Sequence, residues 1–501
     1  MKKRHFLIIV SILIFYLAIN LFHLVELPVF ADEAIYIRWS QLMIDDWQQY
    51  AFFPMNDGKT PLQMWLMVPC LFIFKDPLFA GRFLSVLVGL GNVLVIGLIA
   101  RHLARAKQQN LSQYLAMLLT SILPATFFYQ RMALTDGLLL LNLSLSYLFT
   151  LRFIQRRKPQ ALIGLSLSFA LALLSKLSAL LFVPSLLVCL LFSQQLNKKP
   201  LKIGIYLQVL LALGGALLLF ALLKLVPVFP QLFSRGGDFL QPLDFLWSRA
   251  FWPNLWANLR YFMQQYQFYL GIPLVILALP LFKQSKLAKS LLISSAIAFL
   301  LPLAGLGKII YPRYLLPSYL FMIVSVSLTL ANWLKSTQLI KRFLAYVTLI
   351  LIILKSLAFI YPSYVASDNI PFSPQDREQY LEAWSSGHGI VQSTQLILET
   401  KEQHSLAVAT EGFFGTLPDG ILMYLHRQDV NQLMVEGIGQ PVTSIPQSFI
   451  DKARAYQQVW LVVNSHRLNM AIDQNHLVAE YCRPNQAPCL QVWDISDLVK
   501  N

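Results

Sequence analysis

Asp32 and Glu33 are neighbouring carboxylates that follow an apolar run at 6–25 and precede an amphipathic stretch at 34–47. In such surroundings an acidic pair has little reason to be kept unless it does chemistry: a carboxylate placed there can deprotonate an incoming hydroxyl. Further along, Lys59, Arg131, Lys176, Lys308 and Arg313 are cations beside apolar stretches, and Asp136 is a lone acid in the string Leu134-Thr135-Asp136-Gly137. Two carboxylates and several cations reaching one depth describe a site for a phosphate ester attacked by a hydroxyl. The carboxylate takes the proton, while Lys and Arg bind the phosphate and stabilise its charge as it leaves. Each residue also has a plainer reading: Asp32 and Asp136 as helix caps, Lys176 and Arg313 as cations snorkelling to headgroups.

The elements that must position these groups are membrane helices. More than half of the 501 residues are hydrophobic and the mean hydropathy is +0.56, while several runs approach the roughly 20 apolar residues that cross a bilayer. Hydropathy and its breaks predict about eleven spans. They fall near 6–25, 80–100, 111–130, 137–153, 161–175, 177–193, 203–223, 268–282, 290–306, 313–333 and 343–361. The pair 161–175 and 177–193 is short, with one long helix over 161–192 as the alternative. The first run lacks a small-residue cleavage site and reads as a retained helix.

Basic clusters set the orientation. Lys2-Lys3-Arg4, Arg101/Arg105/Lys107, Arg152/Arg156/Arg157/Lys158, Lys198/Lys199/Lys202, Lys283/Lys286/Lys289 and Lys335/Lys341/Arg342 fall in every second connection. Those connections are therefore cytoplasmic, the N-terminus is inside and the C-terminus outside. The acids agree: residues 1–361 hold 32 Lys+Arg against 10 Asp+Glu, and all ten acids lie on the side assigned outward. The remaining residues hold 8 and 15, so nets of +22 and −7 return the overall +15. That excess is a topology signal with attraction to anionic lipid headgroups, not a nucleic-acid footprint.

The chain divides into a membrane domain, 1–361, and an external α/β domain, 362–501, with short strands expected at 406–410, 459–464 and 489–493. The first outer loop, about 26–79, carries two amphipathic segments. The 34–47 segment puts Ile35, Trp39, Leu42 and Met43 on one side, as in a helix lying in the headgroup plane. A second such helix starts at Pro61. Cys482 and Cys489 read either as a hairpin disulfide or as two free thiols; Cys70 and Cys189 read as packing residues. Trp247, Trp252 and Trp256 in the 224–267 loop read as an aromatic belt. A looser reading joins them with Arg235, Arg249 and Arg260 in a lid.

An ordered set of motifs then resembles the GT-C membrane glycosyltransferases, nearest the branch of the protein O-mannosyltransferases and lipid A aminoarabinose transferases. It comprises Phe30-Ala31-Asp32-Glu33-Ala34-Ile35-Tyr36, Lys59-Thr60-Pro61-Leu62 with Trp65, Gly81-Arg82-Phe83-Leu84-Ser85, Thr135-Asp136 and Pro312-Arg313-Tyr314-Leu315-Leu316-Pro317. The resemblance implies a GT-C type polytopic helical protein, an inverting transferase that uses a polyprenyl-phosphate-linked sugar and works on the extracytoplasmic side of the plasma membrane. It implies Asp32 as base and Asp136 as supporting acid; the reading of the residues adds Glu33 beside Asp32, and Lys59, Arg313, Lys176 and Arg131 as contacts to the donor phosphate. The acceptor is a hydroxyl on protein, lipid or glycan. No cofactor is certain. The acid that often precedes the motif's Lys, and with it a divalent cation, is replaced here by Gly58, with Asp57 one position earlier.

Two other classes fit parts of the pattern. Charged residues at broken helices such as Lys176 also suit a lipid or solute transporter, but the acids gather at one face and no halves repeat. A receptor reading would make the membrane half an anchor and place a cleft at 384–389 and 412–415, where short glycine-bearing turns are more commonly only turns.

Overall fold

The computed structural model describes residues 3–197, 203–281 and 286–500, with side chains described outside 193–197. Lys2, Lys198, Lys199, Lys202 and Lys283 of the basic clusters lie outside the described residues. Chain packing separates two compact units, one of residues 1–22, 51–63 and 83–361, the other of residues 23–50, 64–82 and 362–501. Two pieces of the first outer loop thus pack with the C-terminal residues.

The first unit is helical and belongs to a multi-pass membrane protein. Among the described residues, seven helices are long and apolar enough to cross a bilayer: Lys3–Leu21, Pro77–Leu103, Thr135–Arg156, Ile203–Leu225, Lys286–Leu306, Pro312–Leu334 and Leu339–Val365. Pro159–Ser175 and Leu177–Phe192 are shorter apolar helices. They do not fuse into one, because Lys176 between them is extended (φ −167°, ψ 135°). Pro312–Leu334 is the central element, 94% of its apolar window lying inside the protein. Small polar residues tie neighbouring helices together, with Asn142 Nδ2 donating to Ser175 Oγ at 3.2 Å and Ser146 meeting Ser168 at 2.9 Å; such groups let helices approach closely in lipid.

Two expected spans are broken. The 111–130 stretch forms Gln109–Ile122 and Pro124–Tyr129, since Pro124 has no N–H to continue the first helix. Of the expected 268–282 span, described as far as residue 281, the chain forms the end of Phe251–Tyr269, a turn at Gly271 (φ +89°), and Ile272–Ala278. A positive φ cannot extend an α-helix, so this region is two helices with a kink.

The second unit contains a five-stranded sheet of β1 (Leu406–Thr410), β2 (Leu433–Gly437), β3 (Gln458–Asn464), β4 (Leu477–Tyr481) and β5 (Leu490–Asp494), in the order β2-β1-β3-β5-β4. β1 runs parallel to β2 and β3, Val408 lying opposite Val435 and Trp460, while β5 is antiparallel to both β3 and β4. Ala407, Phe449, Val459, Leu461 and Trp493 form part of its core. Helix Ala31–Asp45 belongs to this unit and does not lay its apolar side into lipid: Ile35, Trp39 and Met43 are all buried. Its apolar side is covered by protein, with Gln41 Nε2 donating to Met423 O at 2.8 Å and Ser40 Oγ to Met64 O at 3.3 Å. Cys482 and Cys489 are joined in a disulfide.

The orientation read from the basic clusters predicts that a reporter active only in the cytoplasm, fused after residue 365, is silent. Strong cytoplasmic signal from that fusion would reverse the assignment.

Candidate active site

Three side-chain clusters arise from the singled-out residues. The first forms where three span boundaries meet. Asp136 sits in the first turn of Thr135–Arg156, Lys176 at the break after Pro159–Ser175, and Arg313 in the turn that opens Leu316–Leu334. Lys176 Nζ lies 2.8 Å from Asp136 Oδ1, and Arg313 Nε lies 4.0 Å from Oδ2. Asp136 does not act as the cap, since the N-cap position is Leu134, which supplies no capping side chain. Its carboxylate is held by the two cations, with the helix N-terminus adding favourable field. Tyrosines frame them: Lys176 stands 4.2 Å from the Tyr314 ring centroid, and the Arg313 guanidinium 5.2 Å from that of Tyr311. Two cations of this kind at one place have the chemistry to meet an anion such as a phosphate oxygen.

The second cluster surrounds Lys59. Asp57 Oδ2 is 3.2 Å from Lys59 Nζ, its other oxygen accepts from Arg235, and Arg235 Nε donates to Asp238 at 2.9 Å. Gly58 makes this turn with φ +70°, and a Cβ there would stand 3.1 Å from Leu232 O, so its lack of a side chain is required by both backbone and space. Asp238, and after it Asp57, hold Arg235 above the ordinary arginine value, against the opposing effect of burial. Asp57 is thus met by both Lys59 and Arg235. Lys308 is a neighbour in structure too, its Nζ donating to Gly237 O at 2.6 Å. Among the described residues one grouping of His, Cys, Asp or Glu has metal-ligand spacing, Glu480 with Cys482 and Cys489, and there the two sulfurs are bonded to each other.

The third cluster separates the acidic pair into two roles. Helix Ala31–Asp45 is capped at Phe30, which has no side chain able to cap, and Glu33 supplies the missing acceptor: Phe30 N donates to Glu33 Oε2 at 3.0 Å. Arg82 grips the same carboxylate from Nε (2.9 Å) and Nη2 (2.8 Å), and sends its remaining donors to the carbonyls of Leu24, Leu27 and Pro28. All five guanidinium N–H groups are thus engaged, and both side chains are essentially inaccessible. Glu33 is accordingly no free base but the anchor of the helix that carries Asp32. Asp32, one residue before it, is only partly buried. The segment is pinned by backbone as well, Ala31 N donating to Ser385 O (2.9 Å) and Gly387 N to Val29 O (2.7 Å). Residues 385–387, read above as a cleft, instead brace the entry to this helix, and a Cβ on Gly387 would fall 2.4 Å from Val29 O.

Arg131 packs against the first helix. Its Nη1 donates to Ile19 O and Phe22 O at 3.1 Å each, and its guanidinium lies 4.9 Å from the Phe127 ring centroid. It closes the C-terminal end of Lys3–Leu21 by satisfying carbonyls the helix leaves open. Arg82 is the residue that sequence reasoning left without a role. The available signal was an arginine in the first turns of an apolar span, which is rarely kept there without a partner.

Compared by sequence with curated proteins, the chain matches none. Residues 58–223 match the family described as dolichyl-phosphate-mannose-protein mannosyltransferase. The structure is similar to ArnT from Cupriavidus metallidurans bound to undecaprenyl phosphate, with a TM-score of 0.57 at 13% identity over 100% of both chains. It is similar also to the apo state of that protein, with a TM-score of 0.55 at 13% identity over 98% of each chain. The chain has the GT-C fold. The likeness runs the whole length of both chains, so the GT-C fold here includes the C-terminal sheet domain as well as the helices. At this identity it establishes the architecture, and the chemistry has to be argued from the residues.

Proposed function

We propose that the chain is an inverting membrane glycosyltransferase that moves a hexose-like sugar, hexose or pentose, from a polyprenyl-phosphate donor to a hydroxyl on a protein, lipid or glycan acceptor outside the cytoplasm. The observation that carries this reading is the Asp136–Lys176–Arg313 cluster, where two cations from separate helix boundaries meet at one carboxylate. Two comparisons support it: the mannosyltransferase description of the family matching residues 58–223, and the undecaprenyl phosphate bound to ArnT.

In the proposed reaction Asp32 takes the proton of the acceptor hydroxyl as its oxygen attacks the anomeric carbon. The bond from that carbon to the phosphate oxygen breaks, and polyprenyl phosphate leaves with the bonding electrons. Arg313 and Lys176 stabilise the charge that grows on the departing oxygen, Asp136 keeping both cations in place. Attack from the face opposite the leaving group inverts the anomeric centre.

The experiment is donor binding by purified variants. Lys176→Ala and Arg313→Ala are each expected to weaken polyprenyl-phosphate binding by about 1.5–3 kcal/mol, the value of a charge-assisted hydrogen bond. Lys59→Ala should weaken it as well. Unchanged affinity in both Lys176→Ala and Arg313→Ala would remove the cluster from the donor site.

A further inference from the structure

Within the second unit an open pocket lies beside the end of helix Leu62–Ile73, and nothing in the proposed transfer uses it. Lys75, His426 and Arg427 line it together with Gln41 and Tyr424. Two observations fix its level. Helix Pro77–Leu103, long and apolar enough to cross a bilayer, begins two residues after Lys75, which places the pocket's rim near one end of that segment. Next to it Phe72 and Ile73 are 63% and 70% exposed, and the Arg427 guanidinium sits 5.7 Å from the Phe72 ring centroid. An exposed aromatic under a cation is the pattern of a side chain entering lipid while its partner stays among headgroups.

The polar lining specifies what enters. Lys75 and Arg427 are exposed cations suited to a phosphodiester. His426 is already turned to Asp45 at 2.9 Å and adds little. Gln41 donates through Nε2 to Met423 O, which fixes its amide orientation. Its Oε1 is buried without a hydrogen-bond partner, an acceptor that a ligand hydroxyl can fill. We propose that this cavity binds the headgroup of an anionic bilayer lipid that carries both a phosphodiester and a hydroxyl, as phosphatidylglycerol does. The site anchors the second unit to the bilayer and does not depend on the transferase reading.

The test is lipid binding to the purified full chain in detergent, read by native mass spectrometry. Phosphatidylglycerol should bind more tightly than phosphatidylcholine. Phosphatidylmethanol, which keeps the charge and lacks the hydroxyls, should bind several-fold more weakly than phosphatidylglycerol. The double variant Lys75→Gln, Arg427→Gln should lose roughly tenfold or more of the phosphatidylglycerol affinity. Arg454→Gln, an exposed cation on the sheet domain paired with Asp451, should lose none, and both variants should melt as the parent does. Equal affinity of the double variant and the parent overturns the site. Equal affinity for phosphatidylglycerol and phosphatidylmethanol overturns the headgroup assignment, and displacement of the lipid by millimolar inorganic phosphate overturns the lipid as occupant.

Discussion

Asp32→Asn is expected to lower sugar transfer by roughly 10²–10⁴ while leaving thermal unfolding almost unchanged. The substitution keeps the shape of the side chain and removes its charge, which is what a general base cannot lose. A structural role predicts little effect, because the cap of Ala31–Asp45 is made by Glu33 and not by Asp32. The charge of Asp32 in the first turn contributes about 0.3–1 kcal/mol to the helix. A loss of 10² in turnover corresponds to about 2.7 kcal/mol of barrier, so the two roles are separable in one variant. Asp136→Asn should impair transfer too, by less, since that carboxylate holds cations rather than moving a proton. Parental turnover by Asp32→Asn, in membranes carrying both proteins at equal level, would end the proposed mechanism.

Arg82→Met should show the opposite pattern, with stability rather than chemistry as the primary loss. Removing the guanidinium leaves the Glu33 carboxylate buried without its partner and strips donors from the carbonyls of Leu24, Leu27 and Pro28. Breaking a buried ion pair from one side costs about 3–5 kcal/mol, and the melting temperature of the purified chain should fall accordingly. Adding Glu33→Gln to Arg82→Met should recover part of the loss, because no unpaired charge then remains inside. An unchanged melting temperature for Arg82→Met would show that the pair does not anchor the helix. The contrast between two adjacent acids, one felt in turnover and the other in melting, is the sharpest consequence of the geometry.

The membrane helices were legible because a span of apolar residues has few alternatives in water or in lipid. The departures fall where one residue controls the backbone: Pro124 divides 111–130 and Gly271 divides 268–282. In the sheet, the strands near 406, 459 and 490 were legible from their apolar runs, whereas β2 and β4 were not. Both are edge strands, β2 half-buried throughout and β4 alternating half-buried with exposed positions, so neither presents a continuous hydrophobic signal. Helix Ala31–Asp45 was legible as amphipathic, but periodicity does not say whether lipid or protein covers the apolar side. The charged residues stood out from their apolar surroundings, yet their pairing did not. Arg82 answers to carbonyls in the irregular segment 24–28, and Arg131 to those ending the first helix; backbone acceptors leave no trace in side-chain type.

The measurement that bears most directly on the proposed function follows the fate of the donor. The purified chain is reconstituted with polyprenyl-phosphate-linked sugars and cell-envelope acceptors, and the lipid products are identified by mass spectrometry. The account predicts acceptor-dependent release of polyprenyl phosphate, with the sugar recovered on the acceptor in inverted configuration. Movement of intact lipid-linked sugar across the bilayer, with no bond to the phosphate broken, would contradict it and make the protein a transporter.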